Sequence, residues 1–209
     1  GAWLYDLEGN FITKLNIPIN NPSQGSGSYE ICAAFGGNRL FVGINQKYNA
    51  SQTYWPSEGF HIYNLQGSMV SNGTAIRHGN ATAEWCSSIA ANDNYVVIGD
   101  RGFGTCYYGG YCACGVYVYN HSGGHVANWR GSGVAATGES GFGWDVDINA
   151  ADDIVVGAPM ENSNNGAVYY FPNFNTSGQV RITPPTAQNT TQGFHPNHYN
   201  PAQAFGRMV

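Results

Sequence analysis

At 209 residues with 42% hydrophobic content the chain can bury a sizeable core, and its apolar residues come in runs well short of the roughly 18 that span a bilayer. Only 10% of residues are charged, against about 25% in an ordinary soluble domain, and the net charge is −5. No basic cluster is present, which excludes the electrostatic footprint of a nucleic-acid binder, while abundant aromatic residues exclude a disordered chain.

The first element is the Gly-led, Tyr-terminated string Gly1-Ala2-Trp3-Leu4-Tyr5, and the same kind of string returns at residues 59–63, 115–119 and 166–170. A second string runs in step with it: Leu40-Phe41-Val42-Gly43, Val96-Val97-Ile98-Gly99 and Val155-Val156-Gly157. Two motifs sharing a period of about 50–60 residues mark an internal repeat. Each unit reads as four strands. The first is clearest over residues 142–148, where Trp144, Val146 and Ile148 alternate with polar partners. Polar turns follow at 91–94 and 149–153, then a continuous apolar second strand such as 154–157. The Gly-led string is the third strand, and a turn such as Leu7-Glu8-Gly9-Asn10 leads to a weaker fourth one at 11–17, 69–70, 126–129 and 180–182.

Helix signals are almost absent, because Gly and β-branched residues interrupt every window. The fold expected is therefore all-β: a β-propeller of four-stranded antiparallel blades, about 3.5–4 of them in this chain. A sandwich of unrelated strands would not repeat two motifs in phase. The phase divides the single domain 1–209 into a partial blade 1–27, blades 28–82, 83–140 and 141–204, and the start of another at 205–209. The chain opens on Gly without a signal peptide, so a processed product or a fragment is expected. It is expected to begin in a third strand and stop in a first one, which points to a larger propeller or to a blade completed by another chain.

Six Asn-x-Ser/Thr sequons, at Asn49, Asn72, Asn80, Asn120, Asn175 and Asn189, predict a secreted glycoprotein bearing covalent N-glycans. Of the five cysteines, Cys106, Cys112 and Cys114 cluster in one loop, where Cys106 would bridge to Cys112 or Cys114. Cys86 would reach the remaining loop cysteine, leaving Cys32 free, buried or bonded to another chain. Cys-x-Cys spacing without a nearby histidine does not suit zinc.

No nucleophile elbow, zinc-protease helix, phosphate loop or dinucleotide fingerprint is present, and no carboxylate pair can be assigned to an axial glycosidase-type site, so no enzymatic activity is expected. His61 reads as a packing or surface residue in a third strand, and His121, His125, His195 and His198 as loop histidines. Two loops are rich in aromatic residues, one with Tyr54 and Trp55 and the other with Tyr107, Tyr108 and Tyr111. These side chains either stack on a ligand or pack the loops onto the blades.

The combination Phe142-Gly143, then Gly157-Ala158-Pro159, then Gly166-Ala167-Val168-Tyr169-Tyr170 resembles the FG-GAP repeat of integrin α-subunit propellers and related secreted proteins. A weaker form occupies the preceding unit, and Phe205-Gly206 opens another. The resemblance implies an extracellular propeller used in adhesion or recognition. It also implies a place for calcium, since some FG-GAP repeats carry an acidic loop between their first two strands. Here that stretch offers Asp145, Asp147, Asn149 and Asp153, with Ala150 where a sharp cation-binding turn favours Gly; a plain hairpin is the competing reading. The function expected is that of an extracellular, non-enzymatic glycoprotein, adhesive or filament-forming, whose loops contact other proteins or copies of itself. The alternative is a carbohydrate-binding propeller using the aromatic loops.

Overall fold

The computed structural model describes residues 2–18, 29–46, 59–73, 85–100, 115–129, 140–161, 166–174 and 178–183. Within them the chain is all-β, built from antiparallel sheets of two to four strands. A short first sheet pairs β1 (Trp3–Tyr5) with β2 (Phe11–Lys14). The second sheet is the meander β3 (Tyr29–Gly36), β4 (Arg39–Gln46), β5 (Phe60–Asn64) and β6 (Met69–Gly73). The third repeats it with β7 (Trp85–Ala91), β8 (Tyr95–Asp100), β9 (Gly115–Asn120) and β10 (His125–Trp129). The fourth does so again with β11 (Val146–Ile148), β12 (Ile154–Ala158), β13 (Ala167–Phe171) and β14 (Val180–Ile182). A 3-10 turn, Pro172–Phe174, follows β13. Among the described residues no helix is long and apolar enough to cross a membrane.

In the first three sheets the turns from third to fourth strand are closed by one device repeated. Asp6, Asn64 and Asn120 each accept, on a side-chain oxygen, the N–H of the residue four positions on, at 2.7, 2.9 and 2.8 Å. This is how a short polar side chain substitutes for a backbone turn bond. Gly9, Gly67 and Gly123 supply the positive φ, from +80° to +88°, that completes each turn.

Strand register assigns the repeat more finely than motif matching does. Gly43 pairs with Phe60, Gly99 with Val116 and Gly157 with Val168. His61, Tyr117 and Tyr169 are therefore equivalent, as are Tyr63, Tyr119 and Phe171. The Gly-led string at 166–170 lies one residue out of phase with its partners at 59–63 and 115–119, whereas the second-strand glycines stay in phase throughout. The first strand of the fourth sheet also differs from the expectation. It starts at Val146 rather than at residue 142, because Gly141 and Gly143 adopt φ of +63° and +87° and fold the chain into turns.

The sheets stack in series, and alternation along the strands decides which side chains meet. Leu4 and Leu15 pack on Leu40, Val42 and Tyr63. The opposite face of the second sheet, with Phe41, Phe60 and Ile62, packs on Val96, Ile98, Tyr117 and Tyr119 of the third. The far face of the third, with Val97, Val116 and Val118, packs on Val156, Tyr169 and Phe171 of the fourth. First strands approach one another at two of the three seams, β3 against β7 and β7 against β11.

The repeated second-strand glycine serves these seams. A Cβ on Gly43 would run into the sulfurs of Cys86 and Cys32, and one on Gly99 into the Gly143 carbonyl oxygen, with the Ser88 hydroxyl 2.8 Å away. Ser87 Oγ donates to that same Gly143 carbonyl at 2.8 Å and to Gly99 O at 3.1 Å, tying the two sheets at this point. Gly99→Ala is expected to cost about 1–3 kcal/mol, the usual penalty of overpacking against backbone that cannot yield, measured as a shift in the denaturant midpoint. A substitution within a few tenths of wild type would show that the seam opens freely.

Candidate functional site

Chemistry-bearing side chains gather at the seams between sheets. The first is the disulfide between Cys32 on β3 and Cys86 on β7, with Cα atoms 6.4 Å apart. Cys32 pairs with Gly43 across the second sheet, and Cys86 sits at a bulge with φ +62°, which aims its sulfur across the seam. The expectation that Cys86 joins a loop cysteine and leaves Cys32 without an intrachain bond is thereby corrected. Cys106, Cys112 and Cys114 lie outside the described residues. A signal for the true pair was present: the two cysteines are 54 residues apart, close to one repeat, so both fall on first strands of neighbouring units.

The second group links the turns between first and second strands. Asn92 Nδ2 donates to the Asn149 carbonyl and to Asp152 Oδ1, both at 2.7 Å. His121 places Nε2 2.9 Å from Asn92 O of its own sheet and its ring 4.9 Å from Phe41 of the second sheet, so one side chain ties this turn to the neighbouring seam. Of the suggested calcium ligands, Asn149 and Asp153 come together, but on each other. Asn149 Nδ2 donates to Asp153 Oδ2 at 2.9 Å, while Asn149 Oδ1 accepts the N–H groups of Ala151 and Asp153. Asp153 Oδ1 accepts the Asn173 N–H, and these bonds hold its carboxyl below the usual range. Asp147 bonds its neighbour Ile148 N–H on β11, where it is exposed on the face opposite Val146 and Ile148. Among the described residues no three His, Cys, Asp or Glu side chains converge to hold a metal.

Two further groups lie at the seams: Glu161, which carried no sequence signal, and His61, which the sequence reads as a packing or surface residue. Glu161, buried after β12, accepts the Tyr169 hydroxyl on Oε2 and the Arg181 Nε–H on Oε1, each at 2.6 Å. Arg181 is held above its ordinary pKa, first by that hydrogen bond. The arrangement locks β13 and β14 to the chain after β12, with both carboxylate oxygens engaged. His61 is the other. It lies 6% exposed on the face of β5 that points at the first sheet, where the equivalent residues are Tyr117 and Tyr169. Among the described residues neither ring nitrogen has a hydrogen-bond partner. Burial lowers its pKa, and the Pro18 carbonyl at the same seam opposes this only in part.

A lowered pKa means that the unfolded chain binds more protons than the native one as pH falls through the ordinary histidine range. Native stability is thus full above that range and lost progressively below about pH 6.5. Thermal melts between pH 5 and 7.5 are expected to show this slope, and His61→Phe to flatten it; an unchanged slope in the variant would assign the acid sensitivity elsewhere.

Of the sequons, Asn72 is exposed on β6, and Asn120 is the turn-closing residue whose Oδ1 already accepts Ser122 N–H and Oγ–H. Asn49, Asn80, Asn175 and Asn189 lie outside the described residues, as do Tyr54, Trp55, Tyr107, Tyr108, Tyr111, His195 and His198. His125 sits on β10 with its ring 5.6 Å from Tyr119. No family model matches this chain, and no curated protein matches it in sequence.

Proposed function

We propose that the chain is an extracellular, non-enzymatic scaffold of FG-GAP-like β-propeller blades, acting as an adhesive or filament-forming glycoprotein. The observation that carries this reading is the serial stacking of four-stranded meanders through equivalent faces, with first strands β3, β7 and β11 brought together in turn. That is how blades pack around a propeller axis. Support for an oxidising compartment comes from the Cys32–Cys86 bridge between two units. Two of the polar groups favour a structural role, because they are spent on neighbouring groups: both oxygens of Glu161 are bonded, and the Asn149–Asp153 hairpin closes on itself. Such a body offers surface rather than a reaction centre. Loop contacts with other proteins are its natural mode of action.

The test is to secrete the chain from eukaryotic cells, map its peptides without reductant, weigh it before and after glycosidase, and measure its retention on extracellular-matrix and cell-surface fractions. A Cys32–Cys86 peptide, a mass lost to glycosidase and saturable retention are expected. Free thiols at both positions with an unglycosylated mass would overturn the extracellular reading, and absence of retention would overturn the adhesive one.

A further inference from the structure

Every seam obeys one rule. The face of a third strand carrying residues equivalent to His61 and Tyr63 is covered by the opposite face of the preceding sheet. Tyr117 and Tyr119 are covered by the second sheet, Tyr169 and Phe171 by the third, and His61 and Tyr63 by the first. The first sheet has the same face, bearing Trp3 and Tyr5, with Phe11 opposite Tyr5 across the ladder and its ring 5.7 Å away. These three aromatic residues stand 56%, 55% and 59% exposed, and among the described residues no sheet covers them as the rule requires. At the other end the fourth sheet presents the kind of face that does the covering: Val168 and Tyr170 on β13, with Ile182 of β14 opposite Val168 and 45% exposed.

We infer that the aromatic face of β1–β2 docks on the outer face of β11–β14 of a second copy of this chain. The inference rests on the serial-stack reading above and names the contact by which such a stack would grow. The two surfaces are different patches of one molecule, so their pairing is heterologous, and it closes into a ring of copies or propagates as a filament according to the rotation between them. It continues a junction that the chain already makes three times, with the same apolar and aromatic chemistry on each side. An aromatic cluster of this kind left in water is also the ordinary mark of an interface.

The experiment replaces Tyr5 with the photo-crosslinker p-benzoylphenylalanine in the full chain and illuminates it over a range of protein concentrations. The expected product has twice the chain mass, rises with concentration, and joins residue 5 to a peptide from β13–β14. A second variant, Ile182→Glu, changes an exposed residue and so leaves the fold intact; it is expected to reduce that product at least tenfold. A link from residue 5 to β13–β14 within one chain would overturn the inference in favour of ring closure. A link to any other segment, or no link, would overturn the contact itself. Either failure, with the Cys32–Cys86 peptide and the glycan mass still found, leaves the extracellular reading standing.

Discussion

Replacing Cys32 and Cys86 together by Ala is expected to lower unfolding free energy by about 4 kcal/mol. The bridge closes a stretch of 54 residues, and a loop of that length loses about this much freedom in the unfolded chain when its ends are tied. For a chain of this size the loss corresponds to a fall in melting temperature on the order of 10 °C. The native side adds a packing argument. Gly43 lies directly against both sulfurs, and the space they fill belongs to the seam where Phe41, Phe60, Tyr117 and Tyr119 meet. Removing the sulfurs therefore leaves a gap beside Gly43 as well as a freer unfolded state. Urea unfolding of the variant beside wild type, each with and without reductant, gives the measurement. Reductant should weaken wild type and leave the variant's seam unaffected. A loss below about 1 kcal/mol would mean that the bridge adds nothing the seam does not already hold.

The strands were legible because their signals are local. A continuous run such as residues 154–157 and the Asn and Asp residues at the turns carry their physics within a few positions of themselves. The alternation Val146-Asp147-Ile148 likewise reads correctly as a strand with one buried face. What was hidden depends on partners. Gly166 mimics the Gly of the third-strand string, yet the ladder is set by Gly157 opposite Val168, and that choice is made across strands. Phe142 and Trp144 look like strand residues, but positive φ at Gly141 and Gly143 turns the backbone there so that Gly143 can meet Gly115 and Asp100 of the preceding sheet. Nearness in sequence drew Cys86 toward the loop cysteines, when its partner lay one repeat away.

The seam groups were the least legible of all. His61 occupies a position where the equivalent units bury Tyr117 and Tyr169; the in-phase strings already set it against Tyr117, and only the alignment of ladders adds Tyr169. Glu161 finds Tyr169 and Arg181 through three different segments, and no short-range pattern connects them. Asn120 shows the reverse case. Its sequon invites a glycan, while the structure gives its side chain the same turn-closing work that Asp6 and Asn64 perform without a sequon.

Phe142→Ala is expected to cost about 3–5 kcal/mol, the range for removing a fully buried aromatic ring from a core that only partly collapses. Phe142 is completely buried, with its ring edge-on to Tyr169 at 5.0 Å and to Phe171 at 6.4 Å, at the seam between the third and fourth sheets. Its backbone cannot follow a collapse. The Phe142 N–H donates to Ser140 Oγ at 3.2 Å, the Gly143 N–H donates to Gly157 O at 3.1 Å, and the Gly143 carbonyl is fixed by Ser87 Oγ. The Phe-Gly pair thus acts as a plug and its hinge: the ring fills the seam, and the glycine lets the chain approach β8 and β9 closely enough to seat it. Trp3→Ala supplies the contrast, since Trp3 is a larger aromatic residue on the exposed face of β1 and its loss should change stability of the isolated chain by no more than about 0.5 kcal/mol. Denaturant midpoints of the two variants measure the difference directly. Equal midpoints would mean that the motif's phenylalanine packs no better than a surface aromatic, and that the seam draws its stability from the strand ladders alone.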